Sequence, residues 1–167
     1  MTAFYEFEDV DAFTTGAIGE PGARTFYLQA RHGKQRVAVK CEKQQVSAIV
    51  QYLQRVLNDL PPADDRPMAG ALELVEPLDQ AFVLGPIGLG YDRASDRLIV
   101  QLEEITPLDE HGDEIEGHDG HIRLYVTRGQ ATSFCEQAER VVSAGRPDCQ
   151  WCLQPIDPDG HPCPRMN

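Results

Sequence analysis

Residues Val37–Leu57 read VAVKCEKQQVSAIVQYLQRVL, and Ile122–Val142 read IRLYVTRGQATSFCEQAERVV. Laid on each other without a gap, their apolar positions coincide. Each begins with alternation (Val37, Val39, Cys41; Ile122, Leu124, Val126), which predicts a half-buried strand. A stripe stepping by three and four follows. In the first stretch Val46, Ile49, Val50, Leu53, Val56, Leu57 and Leu60 predict an amphipathic helix from about Lys43 to Leu60. Pro61-Pro62 stop it, because proline has no N–H for the helical ladder. In the second stretch Ala131, Phe134, Cys135, Ala138, Val141 and Val142 take the corresponding places. Each helix has one apolar face, so the two units must bury their stripes against a shared partner.

The segments ahead of these units also correspond. Phe4–Glu8 (FYEFE), Ala12–Gly19 and Thr25–Ala30 read as strands, and His32-Gly33-Lys34 as a hairpin turn. Residues 61–71 have a linker's composition. Beyond them Leu72–Glu76 (LELVE) resembles FYEFE, and Leu98–Leu102 falls where Thr25–Ala30 fell. Ala81–Gly88 matches Ala12–Gly19 as A-F-x-x-G-x-I-G, and the glycines of Gly85–Gly90 then read as hairpin glycines. The chain is expected to be α+β: two tandem ββββα pseudo-repeats forming an antiparallel sheet with two helices, plus a C-terminal zinc-ribbon-like tail. The repeats span 1–60 and 72–146, the linker 61–71 and the tail 147–167.

The tail carries the most explicit chemistry. It holds Cys149, Cys152, His161 and Cys163 within a Pro- and Gly-rich run. A C-x2-C turn aims two thiolates at one ion, and zinc takes four N/S ligands in a closed structural site. A segment this short has no core of its own, so metal binding would supply most of its folding free energy. A structural Zn2+ on these four residues is the expectation. His161 and Cys163 are separated by one residue, closer than in common fingers, and Asp157 and Asp159 are alternative ligands. A redox dithiol fits less well, since a Pro/Gly loop rather than a helix follows the C-x2-C pair. Trp151 is expected to pack against the body.

Other candidates read as structural. Cys41 aligns with Val126 and Cys135 with Val50, which places both thiols at core positions rather than as nucleophiles. Pro107–Gly120 and the residue after it offer Asp109, Glu110, His111, Asp113, Glu114, Glu116, His118, Asp119 and His121. These groups could hold a divalent ion for hydrolysis, but the spacing fits neither a calcium loop nor H-E-x-x-H. A solvated acidic loop is the simpler expectation. Lys43/Arg128 and Gln45/Gln130 recur at the two helix starts, where they serve either as caps or as anion sites.

The net charge of −12 and the scattered Lys and Arg disfavour nucleic acid and anionic membrane as partners. The N-terminus lacks a signal-peptide pattern, and no apolar run approaches membrane-spanning length. The expected location is the cytoplasm, where cysteines stay as thiols or metal ligands.

The blocks A-F-x-x-G-x-I-G-E-P-G, E-K-Q-Q-V and G-L-G-Y-D, with the ending C-x-x-C-x-x-P-I-D-P-x-G-H-x-C-P-R-x-N, resemble the bacterial family catalogued as domain of unknown function 3090. The resemblance covers nearly the whole chain. It implies neighbouring genes for a phosphatase-like and a lipid-kinase-like protein, and hence an accessory role near phosphoryl chemistry. The residues themselves favour a non-enzymatic binding or adaptor module with an unidentified protein partner. The alternative is a metal-dependent hydrolase or phosphoryl-transfer accessory enzyme, using the acidic loop 107–120 or an open zinc position.

Overall fold

A computed structural model describes residues 4–20, 22–67 and 69–144. In chain order these form β1 (Phe4–Phe7), β2 (Ala12–Ile18), β3 (Thr25–His32), β4 (Gln35–Cys41), α1 (Lys43–Asn58), β5 (Gln80–Asp92), β6 (Arg97–Glu104), β7 (His121–Val126) and α2 (Arg128–Ser143). The fold is α+β: one seven-stranded sheet, ordered β1-β7-β6-β5-β4-β3-β2, with two helices. The predicted strand–helix units are β4–α1 and β7–α2.

The sheet is mixed, not antiparallel as expected. β2–β3–β4 and β5–β6–β7 are each antiparallel meanders. The pairs that join distant parts of the chain, β4/β5 and β1/β7, are parallel. Local patterning predicts a strand but not the direction of its long-range neighbour.

β1 and β2 stand at opposite ends of the sheet, yet only residues 8–11 separate them in the chain. From Phe7 to Ala12 the backbone reaches at most roughly 18 Å. Seven strands laid flat would put the edges roughly 29 Å apart. The sheet must therefore curl until its edges approach. β5 has a related bend. Its first residues pair with β4, its remainder pairs with β6, and the register breaks between Leu84 and Ile87.

Two glutamines tie these bends to the helices. In α1, Gln45 Oε1 accepts the Glu42 N–H (2.8 Å), and Gln45 Nε2 donates to the carbonyls of Leu84 (3.2 Å) and Gly85 (3.0 Å). In α2, Gln130 Oε1 accepts the Thr127 N–H (2.9 Å), and Gln130 Nε2 donates to the Val10 carbonyl (2.7 Å). Each amide thus satisfies a donor at a helix start and an acceptor at a strand bend. The cap reading of these two residues is the one observed.

The face of the sheet with Phe7, Leu28, Val39, Phe82, Val100 and Leu124 is buried. α2 lies against β2 on this face, with the Phe13 and Phe134 rings stacked at 4.5 Å. Val46, Ile49, Val50 and Leu53 of α1 are buried, and Cys135 of α2 reaches the Val50 carbonyl (Sγ–O 3.9 Å).

On the opposite face, residues 69–76 cross β2 and β3. Leu72–Glu76 was expected as a strand and is not one; Ala69–Leu72 forms a single 3-10 turn. The segment pairs with side chains instead of a strand. Gln29 accepts the Val75 N–H (2.8 Å) and donates to the Val75 carbonyl (2.9 Å). Thr14 donates to the Leu72 carbonyl and Arg31 to that of Ala71. These contacts account for Thr14 and Gln29 being buried though polar. Leu74 fills the space over Gly16, where an added β-carbon would lie 2.6 Å from the leucine side chain.

The A-F-x-x-G-x-I-G blocks do not coincide in the sheet. Phe13 pairs with Ala30 in β2–β3, whereas Phe82 pairs with Val39 in β4–β5. Gly85, Gly88 and Gly90 lie within β5, not at a hairpin. Gly85 is required by close approach, since its β-carbon would sit 2.7 Å from Ile105 Cα.

Replacing Gln45 or Gln130 by Ala leaves a carbonyl at the bend and an N–H at the cap without their partner. Each substitution should lower stability by about 1–3 kcal/mol in urea unfolding, and by similar amounts. Gly129→Ala should also destabilise the protein measurably, because a β-carbon there overlaps the Asp65 carbonyl oxygen of the linker.

Candidate functional site

Cys149, Cys152, His161 and Cys163 lie outside the described residues, as do Trp151, Asp157 and Asp159. The other candidates can be placed.

The loop after β6 is built by its own acids. Asp109 Oδ1 accepts the N–H groups of His111 (2.8 Å) and Asp113 (2.9 Å). The Asp109 carbonyl accepts from Gly112, and the Asp109 N–H donates to the Asp113 carbonyl. Leu108 and Glu114 bridge across this small turn, and Ile115 N–H reaches back to Pro107. Asp109 thus acts as an Asx-type turn former. The His111 ring lies 3.6 Å from its neighbour Glu110 and is strongly exposed. His121 lies in β7 with its ring edge-on to Phe4.

One polar pair joins the loop to the sheet. Glu104 Oε2 lies 2.8 Å from His118 Nδ1, and Glu104 Oε1 accepts the Gly120 N–H at 3.2 Å. Glu104 is largely buried here while His118 is partly open. The carboxylate closes the base of the loop. Among the described residues no group of three or more His, Cys, Asp or Glu could hold a metal ion.

Cys41 and Cys135 are buried core thiols, as their alignment with apolar positions predicted. Burial, with Glu42 adding repulsion, pushes the Cys41 thiol up to about 12. Burial, with Glu139 and Glu136, does the same for Cys135, also to about 12. Both are neutral at physiological pH, which removes the nucleophilic form.

A polar network absent from the sequence reading sits at the β5–β6 turn. Tyr91 donates to Asp96 Oδ1 (2.6 Å), and Arg128 Nε donates to Asp96 Oδ2 (3.1 Å). The Tyr91 hydrogen bond, with help from Arg128, holds the Asp96 carboxyl below its ordinary range. The same bond raises the Tyr91 phenol. Arg128 also donates to the Pro61 carbonyl, so the network fastens the turn, the start of α2 and the linker. The duplicated basic residue at the helix start was visible in sequence; its acidic partner was not.

Depressions also occur elsewhere on the described surface, away from these groups. One of about 550 Å³ is acidic and polar, lined by Glu6, Phe7, Glu8, Asp9, His32 and Gln35. The other, about 370 Å³, is an apolar groove between the helices, with Val50, Ala138 and Val142 among its walls. No described helix is long and apolar enough to cross a membrane.

Over residues 5–163 the chain matches the family described as protein of unknown function (DUF3090). The chain belongs to this family. No curated protein and no solved structure matches it. For this DUF3090 member, function has to be argued from its residues.

Peptide-mapped alkylation with iodoacetamide at pH 8 should leave Cys41 and Cys135 unmodified in the folded protein and modify both in urea. Their raised values also set a pH dependence. The unfolded thiols ionise near 9.0 and the folded ones near 12. Their contribution to stability is full below about pH 9 and declines as pH rises toward 12. Urea midpoints measured between pH 8 and 11 should fall with pH, and Cys135→Ala should flatten the slope.

Proposed function

We propose that this protein is a non-enzymatic binding module whose C-terminal residues hold a structural zinc, and that its body arose by tandem duplication. The partner is another protein. The observation that carries the non-enzymatic reading is the fate of the reactive groups. The described thiols are buried and neutral, Asp109 shapes a turn, and Glu104 closes a loop. No nucleophile with an adjacent base emerges among the described residues.

The donor set of the tail supports zinc in particular. Three thiolates and one imidazole complete a tetrahedral N/S shell with no position left for substrate, which is the composition of a structural site. The chemistry that zinc supplies there is cross-linking of a short segment. The hydrolase alternative on loop 107–120 has less support, because the Asp109 carboxylate is committed to backbone N–H groups and His111 and His118 face different carboxylates, Glu110 and Glu104.

Several correspondences support duplication, in a frame shifted from the A-F-x-x-G-x-I-G alignment. Register matches Val39 in β4 to Leu124 in β7, and their partners Leu28 to Val100. It then matches Gln29 to Gln101 and Gly16 to Gly90. β1, followed by the 8–11 bend and β2, corresponds to the single bent strand β5, with Phe7 matching Phe82. Gln45 and Gln130 make equivalent bonds across the halves.

The purified full-length protein should contain about one equivalent of zinc per chain by elemental analysis. Cys149→Ser with Cys152→Ser should remove most of it and lower the thermal midpoint. Less than about half an equivalent in the wild type would overturn the zinc reading.

A further inference from the structure

The outer faces of the two meanders differ in one respect. In the first, residues 69–76 cover the sheet. Gln29 grips Val75 through both backbone groups, and Leu74 sits over Gly16. In the second meander the matching positions carry the same residue types, Gln101 and Gly90. There the Gln101 side chain makes no hydrogen bond among the described residues, and nothing lies within 4 Å of a β-carbon built on Gly90. Beside them, in register with Gln101, Arg123 keeps an occluded Nε that has no acceptor among the described residues.

The sequence supplies a segment for this face. The covering segment reads Leu72-Glu-Leu-Val-Glu-Pro77, and the chain beyond α2 contains Leu153-Gln-Pro-Ile-Asp-Pro158. Leu, the β-branched residue, the acid and the final Pro recur at the same spacing. The one disruptive difference is Pro155 in the place of Leu74. It is tolerable there, since the Leu74 N–H makes no hydrogen bond among the described residues, whereas the Val75 N–H does. Ile156 keeps that donor. Leu153 follows the end of α2 by about ten residues, which when extended reach roughly 33 Å.

We infer that the outer face of β5–β6–β7 is a docking site for this chain's own Leu153–Pro158. Gln101 pairs with the Ile156 backbone, Pro155 fills the hollow over Gly90, and Asp157 answers Arg123. The occupant is extended peptide, held as in edge-strand recognition but by a side-chain amide. Cys149 and Cys152 precede the docked residues and His161 and Cys163 follow them. A zinc on these four would therefore clasp the segment at both ends.

Hydrogen exchange on the full-length protein tests this. The amides of Leu153, Gln154, Ile156 and Asp157 should exchange at least about tenfold more slowly than in an unstructured peptide. Gly90→Leu, which fills the hollow without a clash inside β5, should abolish that protection while leaving β6 and β7 protected. Gln101→Ala reads the same contact without added bulk, should the leucine perturb folding. Gln29→Ala should accelerate exchange at Val75 and so calibrates the effect. Unprotected exchange at 153–158 in the wild type would overturn the inference. Protection indifferent to both face variants, or dependent on protein concentration, would do the same by assigning it to another surface or a second copy. The inference rests on the duplication proposed above. Similar losses from Gln45→Ala and Gln130→Ala, with an unprotected 153–158, would remove the docking and leave the duplication standing.

Discussion

The bend between β1 and β2 is the constraint on which the rest of the structure depends. Those strands lie at opposite ends of the sheet and are joined by residues 8–11. The short link curls the sheet, and the curl brings β2 under α2. The Gln130 amide then holds the Val10 carbonyl at the bend and the cap of α2 together. Gln45 does the same for the bend in β5 and the cap of α1. Each helix is thereby attached to the half of the chain that does not contain it. Each half thus satisfies a bend of the other, and the parallel pairs β4/β5 and β1/β7 complete a single sheet.

The segment between α1 and β5 has a comparable role on the outside. Residues 61–71 read as a linker by composition and Leu72–Glu76 as a strand. Residues 69–76 instead behave as a strap. Gln29 and Thr14, buried in a position that would be costly for unpaired polar groups, are satisfied by its backbone. The same segment passes close to Gly129 and packs Leu74 over Gly16.

Much of the fold was legible, because two periodicities dominate the sequence. Val37, Val39 and Cys41 alternate and lie in β4, and the stripe from Val46 to Leu53 is the buried face of α1. The positions of Cys41 and Cys135 followed from the same pattern. The errors share a cause as well. Leu72, Leu74 and Val75 have a strand's composition, but their backbone partners are side chains, which no local pattern encodes. Gly85, Gly88 and Gly90 looked like a turn, although they belong to a bent strand whose close neighbour, Ile105, is distant in sequence. The direction of pairing between halves was illegible for the same reason. Of the site, the acids were visible by type, but Asp109 and Glu104 bind backbone N–H groups, and residue type does not reveal the acceptor's target.

We propose a duplicated body whose described thiols are buried, and a Cys/His tail whose metal is a clasp rather than a catalyst. Zinc-edge X-ray absorption of the full-length protein tests that claim most directly. A closed shell of three sulfurs near 2.3 Å and one nitrogen near 2.0 Å is the predicted result. An oxygen ligand in the place of one of them, exchangeable with added anions, would mark an open position and contradict it.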